Sequence, residues 1–211
     1  RVPDAEYAWR ESDIYRVQIA NGEITRLTTR KGPDANPTPS PDGRFIAYTG
    51  YDSTDATWQD SYLYVMRADG SEPRVLTRSL DRSPSGLTWD ATGSGVYFMA
   101  EDAGARHLYH VTLTGTIKQV TSGAQLISIG DIHRSGLVVG TRTTSSSPGN
   151  IVRFAVSSPN AVTTLTDVNR DLLAGKRLAT TEEIWYGSVD GFRIQGWIVK
   201  PPDFDPGKKY P

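Results

Sequence analysis

Cysteine is absent from the 211 residues. That excludes disulfides and thiolate metal sites, and it leaves the compartment open. Long hydrophobic runs are also missing. No stretch approaches the ~18 apolar residues that a membrane helix needs, and no basic-then-apolar leader opens the chain. Charge of one sign is lacking as well: 23 basic and 24 acidic side chains leave a net charge of −1. Without a long basic run, a nucleic-acid partner has no electrostatic footing. The pair Lys208-Lys209 reads as part of a solvated linker. Helical periodicity is nearly absent. "NRDLLAGKRLATTEE" has some helical spacing, but Gly175 interrupts it, so a loop or a single turn is expected. The chain is read as soluble, cytoplasmic or periplasmic with the compartment unknown, and with no membrane, no nucleic acid and no cofactor.

What the sequence has instead is a repeat. Four segments share one strand–turn–strand pattern: "DIYRVQIANGEITRLT", "YLYVMRADGSEPRVLT", "HLYHVTLTGTIKQVT" and "NIVRFAVSSPNAVTTLT". Each opens with the apolar–polar alternation of a half-buried strand. Each then reaches a turn, expected at Asn21-Gly22, Asp69-Gly70, Thr114-Gly115 and Pro159-Asn160. Each closes on an apolar residue and a threonine, at Thr28, Thr77, Thr121 and Thr166. Between these hairpins lie "PTPSPDGRFIAYTG", "GLTWDATGSGVYFMA" and "ISIGDIHRSGLVVGTR", again strand, turn and strand, with the turns closing on Gly43, Gly93 and Gly136. Pro41 presets φ for the first corner of a type I turn, and glycine suits its last position.

Four short strands in about 45 residues match one blade of a β-propeller. The expected fold class is all-β: a partial propeller of about three and a half four-stranded blades, with a C-terminal β-hairpin. The partial propeller is placed at 1–180, with a half blade at 13–29, blades at 36–79, 84–123 and 126–167, and a connector at 168–180. Residues 181–211 form the hairpin and a linker. Tyr15, Tyr48, Tyr62, Tyr64, Trp89, Tyr97, Phe98 and Tyr109 are read as blade-packing aromatics. In the longer loop 50–60, Tyr51 and Trp58 are placed toward the tunnel or toward a neighbouring domain.

The repeat unit "PSPDGRFIAYTG…YLYVMRADG…RVLT" resembles propellers of the prolyl oligopeptidase family of serine peptidases and the periplasmic TolB-like propellers. The terminal "EEIWYGSVDGFRIQGWIVKPPDFDPGKKYP" separates them. It resembles the segment of the acylaminoacyl-peptidase-like and dipeptidyl-peptidase-like branches that leaves the propeller and enters an α/β-hydrolase domain, with its Asp190-Gly191 turn and Gly196-Trp197 strand. The resemblance covers the whole chain. It implies a propeller that admits short peptides to a catalytic domain, with a Ser, Asp and His triad all beyond Pro211. Both ends of the chain then read as cuts, the hydrolase domain of the same parent being absent. The alternative is a stand-alone TolB-like module for protein interaction.

No catalytic, cofactor-binding or metal residue is assigned within the chain. Serine acyl transfer needs a base in reach and an oriented third group, on a Gly-x-Ser-x-Gly elbow. No five-residue stretch matches, and "GSGVY" at 93–97 has the wrong spacing. Asp131, His133 and Ser135 in "DIHRSG" mimic a triad. His133 occupies the repeat position of Ser40 and Asp90, and Ser135 that of Asp42, so all three are read as turn residues. His107 and His110 are three apart on a strand, which points them to opposite faces and forbids a shared metal. Glu182-Glu183 resembles the glutamate pair with which dipeptidyl peptidases hold a substrate amine. That pair sits on a helical propeller segment, whereas this one precedes the hairpin, so the role is not carried over. Two physical expectations follow. An open stack leaves an apolar face at each end, which favours self-association. The strand at 192–199 lacks a wider sheet, and is expected to be disordered or to pair with another edge.

Overall fold

The computed structural model describes residues 6, 7 and 10–210. Pro211 and, of the propeller region, residues 1–5, 8 and 9 lie outside the described residues. The half blade consists of β1 (Tyr15–Val17) and β2 (Ile24–Arg26), paired antiparallel. The first full blade is the meander β3 (Asp34–Pro39), β4 (Phe45–Gly50), β5 (Tyr62–Arg67) and β6 (Arg74–Val75). The second is β7 (Ser85–Trp89), β8 (Gly95–Asp102), β9 (Ala105–Thr112) and β10 (Ile117–Gln119). The third is β11 (Leu126–Ile132), β12 (Leu137–Thr144), β13 (Ser147–Ala155) and β14 (Ser158–Thr164). A single turn, α1 (Arg170–Leu173), follows, and then the hairpin of β15 (Thr180–Gly187) and β16 (Arg193–Lys200). No sheet closes among the described residues, and none of their helices is long and apolar enough to cross a membrane.

Alternation along the strands builds the blade interfaces. In β5, Tyr64 and Met66 turn toward the half blade, where they meet Ile14, Leu27 and Tyr48. Leu63 and Val65 turn the other way, into a cluster with Trp89, Val96, Phe98 and Val111 of the second blade. In β9, Tyr109 and Val111 face the first blade, and Leu108 faces Ile127, Val138 and Phe154 of the third. The first and second blades thus bury both faces, and the core is a series of three such joints. Parallel bridges stitch the joints, Ser12 to Pro33 and Arg106 to Leu126. The Trp89 indole donates across one joint to the Thr38 carbonyl at 2.8 Å.

The repeated apolar–threonine ending has a specific use. The Thr28, Thr77, Thr121 and Thr166 hydroxyls accept the amides of Ile14, Leu63, Leu108 and Ile151 at 2.8–2.9 Å. The apolar residue before each threonine donates its own amide to the carbonyl of that same partner, at 2.7–2.8 Å. Every outer strand is therefore locked to the third strand of its blade by one side chain and one backbone bond.

Two expectations are corrected. The fourth repeat does not turn at Pro159-Asn160. Ala155 pairs with Ser158, so the turn is Val156-Ser157, and Pro159 lies inside β14. A proline is tolerated there because β14 ends its sheet and has no further strand to donate to. The strand at 193–200 is neither disordered nor joined to another edge: it pairs with β15 over eight residues, Thr180–Lys200 to Gly187–Arg193.

Candidate functional site

One end of the stack carries the loops that join second to third strands: 51–61, Ala103-Gly104 and Ser145-Ser146. The hairpin is docked on this end. Within the hairpin, Glu183 faces Trp197 and Trp185 faces Gln195, which puts these four side chains on one surface. Gln195 Nε2 donates to the Ala103 carbonyl at 2.9 Å and to Glu183 Oε1 at 3.0 Å, and the Trp185 indole donates to the same glutamate oxygen. The Trp197 ring covers Gly104 so closely that a Cβ there would lie 2.2 Å from ring carbon Cζ2. Gly104 also sits at φ 70°, a conformation that costs other residues strain. Glycine at 104 is thus required twice, by the turn and by the indole.

Beside this contact lies a cavity of about 560 Å³, walled by His107, Gln125, Thr144, Glu183 and Trp197 among others. His107 is buried at 6% exposure. Burial holds its imidazole below the ordinary value, so it is neutral near pH 7. The Gln125 amide is fixed by Arg142 at 2.6 Å and the Ser122 carbonyl at 2.7 Å. A second hollow of about 450 Å³ opens next to loop 51–61, between Trp58 and Arg82, Met99 and Arg106. The Trp58 side chain stands 79% exposed at its lip. Its two guanidinium groups are already paired, Arg82 with Asp102 at 2.7 Å and Arg106 with Glu101.

The other sequence candidates are not brought together. His133 Nδ1 and Ser135 Oγ are 2.8 Å apart, but the same nitrogen accepts the Ser135 amide at 3.2 Å. Gly136 N bonds the His133 carbonyl just as Gly43 N bonds Ser40 and Gly93 N bonds Asp90, at 2.8, 2.9 and 3.1 Å. Asp131 is exposed on β11 and supplies no third member. His110 leaves His107 behind, pairing with Asp90 at 3.1 Å beside Tyr97. No group of three or more metal-ligating side chains occurs among the described residues. Glu182 pairs with Lys200 at 2.6 Å, and Glu183 holds Trp185 and Gln195. Both glutamates of the pair are thus spent on the hairpin itself. The docking end, by contrast, has no sequence motif.

Outward, the hairpin presents the opposite surface: Tyr186 opposite Ile194, and Ile198 near Ile184. Tyr186 is 52% exposed there, and Ile194 and Ile198 are exposed with it.

No family model matches the chain. The dipeptidyl-peptidase 5 of Porphyromonas gingivalis is 28% identical over 202 residues, which cover 95% of this chain and 29% of that protein. The chain spans under a third of the length of the curated relatives it matches. Among solved structures, an acylaminoacyl peptidase of Pyrococcus horikoshii superposes with a TM-score of 0.69 at 20% identity, over 90% of this chain and 28% of that one. The β-propeller domain of the trilobed protease from Pyrococcus furiosus superposes with a TM-score of 0.56 at 22% identity, over 74% of this chain and 46% of that one.

Proposed function

From the premise that the chain belongs to the prolyl oligopeptidase family of peptidases, we propose that it is the non-catalytic propeller part of a serine peptidase of short peptides. An α/β-hydrolase domain of the same parent follows the hairpin and carries the whole triad. The observation that carries this reading is the two-faced hairpin. One face is fastened to the blade ends through Gln195 and Trp197, and the other offers Tyr186, Ile194 and Ile198 to a further layer. A domain seated on that outer face lies over the docking end of the blades. The end loops and the two hollows then form the wall past which a substrate must travel. An extended peptide passes such a wall, and a folded protein does not.

The parent gene product, expressed whole, tests the reading. It is expected to react with a fluorophosphonate probe, to cleave dipeptidyl chromogenic substrates and oligopeptides, and to spare folded proteins. The 211-residue chain alone is expected to do none of these. A whole product that carries no probe-reactive serine overturns the proposal and returns the chain to the class of interaction modules.

For the isolated chain we propose self-association. Leu126, Leu137, Val139 and Ile151 lie exposed on the surface of the third blade turned away from the second. Val17 and Ile24 are exposed on the half blade. Light scattering is expected to show mass rising with concentration, and a constant monomer mass refutes it.

A further inference from the structure

The joint between the half blade and the first full blade holds a cavity of about 510 Å³, away from the hairpin. Its lining is chemically unlike that of the other joints. Asp34, with no side-chain exposure, pairs with Arg30, whose Nη1 also reaches Asp52 at 3.2 Å. The Arg30 guanidinium lies 4.8 Å from the Tyr64 ring centroid, and Tyr64 stacks on Tyr48 at 5.2 Å. Three buried atoms of this cluster have no hydrogen-bond partner within the protein: Asp34 Oδ2, Arg30 Nε and the Tyr64 hydroxyl. Each orphan is costly, since a buried polar group without a partner loses its hydration for nothing. That one small cluster keeps three of them beside an open cavity marks a place shaped for something besides the fold.

Charges of both signs line it. Asp52, with a side chain 57% exposed, has one oxygen on Arg30. Arg78 lies over the Tyr62 ring at 5.2 Å and has no carboxylate partner among the described residues. The Tyr64 hydroxyl is flanked by both signs: Asp52 and Asp34 oppose its ionisation, Arg30 and Arg78 favour it, and burial dominates, raising the phenol above its ordinary value. A ligand that satisfies this arrangement needs a carboxylate for Arg78 and an ammonium for the Asp52 and Tyr64 side, with a short apolar body against the tyrosine rings.

We propose that this inter-blade cavity binds a small zwitterion, a free α-amino acid or dipeptide, with its carboxylate on Arg78 and its ammonium on Asp52 and the Tyr64 hydroxyl. These three contacts all belong to the first full blade, and Arg30, which follows β2 of the half blade, forms part of the same wall.

Calorimetric titration of the chain tests this with Ala-Ala as probe, beside its N-acetylated and its C-amidated forms. Ala-Ala is expected to bind saturably, and either blocked form is expected to bind at least tenfold more weakly. Arg78→Ala and Asp52→Asn change exposed side chains and leave the core intact. Each is expected to weaken Ala-Ala by tenfold or more. Tyr64→Phe removes only the hydroxyl, and is expected to weaken Ala-Ala while sparing the N-acetylated form. Dispersed amide resonances in every variant establish that the chain is folded. No saturable binding by folded protein overturns the proposal. So does equal affinity for the blocked forms, and so does loss on amidation alone, which identifies a plain anion site. The readout needs no hydrolysis, so it stands or falls apart from the peptidase reading.

Discussion

The joint between blades and the joint between blade and hairpin are built on opposite principles. Between the first and second blades, Leu63, Val65, Val96, Phe98 and Val111 meet with at most 1% exposure each. Such a surface is held by loss of water contact over a wide area, and it is insensitive to any single polar bond. The hairpin, by contrast, sits on the stack through one amide bond and one indole lying on one glycine, with Trp197 half exposed. The first joint is a core. The second is a small contact, fastened at two points.

The contrast can be broken at several points. Phe98→Ala empties the centre of a blade joint and is expected to cost about 3–5 kcal/mol in denaturant melts. Thr77→Val keeps the shape but strands the Leu63 amide, which is expected to cost about 1–3 kcal/mol. The same change at the less buried Thr166 is expected to cost less, because water can reach the released amide. Trp197→Ala is expected to leave the melting midpoint of the blades almost unchanged while speeding limited proteolysis near residues 187–193. A large loss of global stability from Trp197→Ala would show the two joints to be one unit. The smallest effect concerns pH. Burial lowers the His107 pKa in the folded state, so as pH falls below ~6.5 the unfolded chain takes up a proton first. Stability is expected to decline with falling pH in that window, and His107→Gln is expected to flatten the slope.

Much of the fold could be read from the chain because a blade is local. A four-stranded meander closes within about 45 residues, and turn glycines and alternating strands announce it. The threonines were visible as a spacing, but their purpose was not: a hydroxyl reaching an amide 13 to 15 residues back has no local signature. Pro159-Asn160 misled because turn chemistry outweighed the tolerance of an edge strand for proline. The docking end was less legible still. Gln195 and Ala103 are 92 residues apart, and Gly104 looks like any turn glycine until the indole is placed on it. The inter-blade cluster of Arg30, Asp52, Tyr64 and Arg78 was invisible for the same reason, since its members come from four separate segments. His133 and Ser135 show the converse: close in sequence and in space, yet held by a turn that uses up the imidazole nitrogen.

The serial stacking of the blades sets how mechanical load travels. Each blade touches only the one before and the one after it, so the three joints bear tension like links in a chain, and the weakest sets the breaking force. Pulled from its two ends, the molecule should yield in discrete steps, one blade at a time, each releasing a similar length of polypeptide. The hairpin, held by one amide bond and one indole, should peel away first at a force too small to disturb any link.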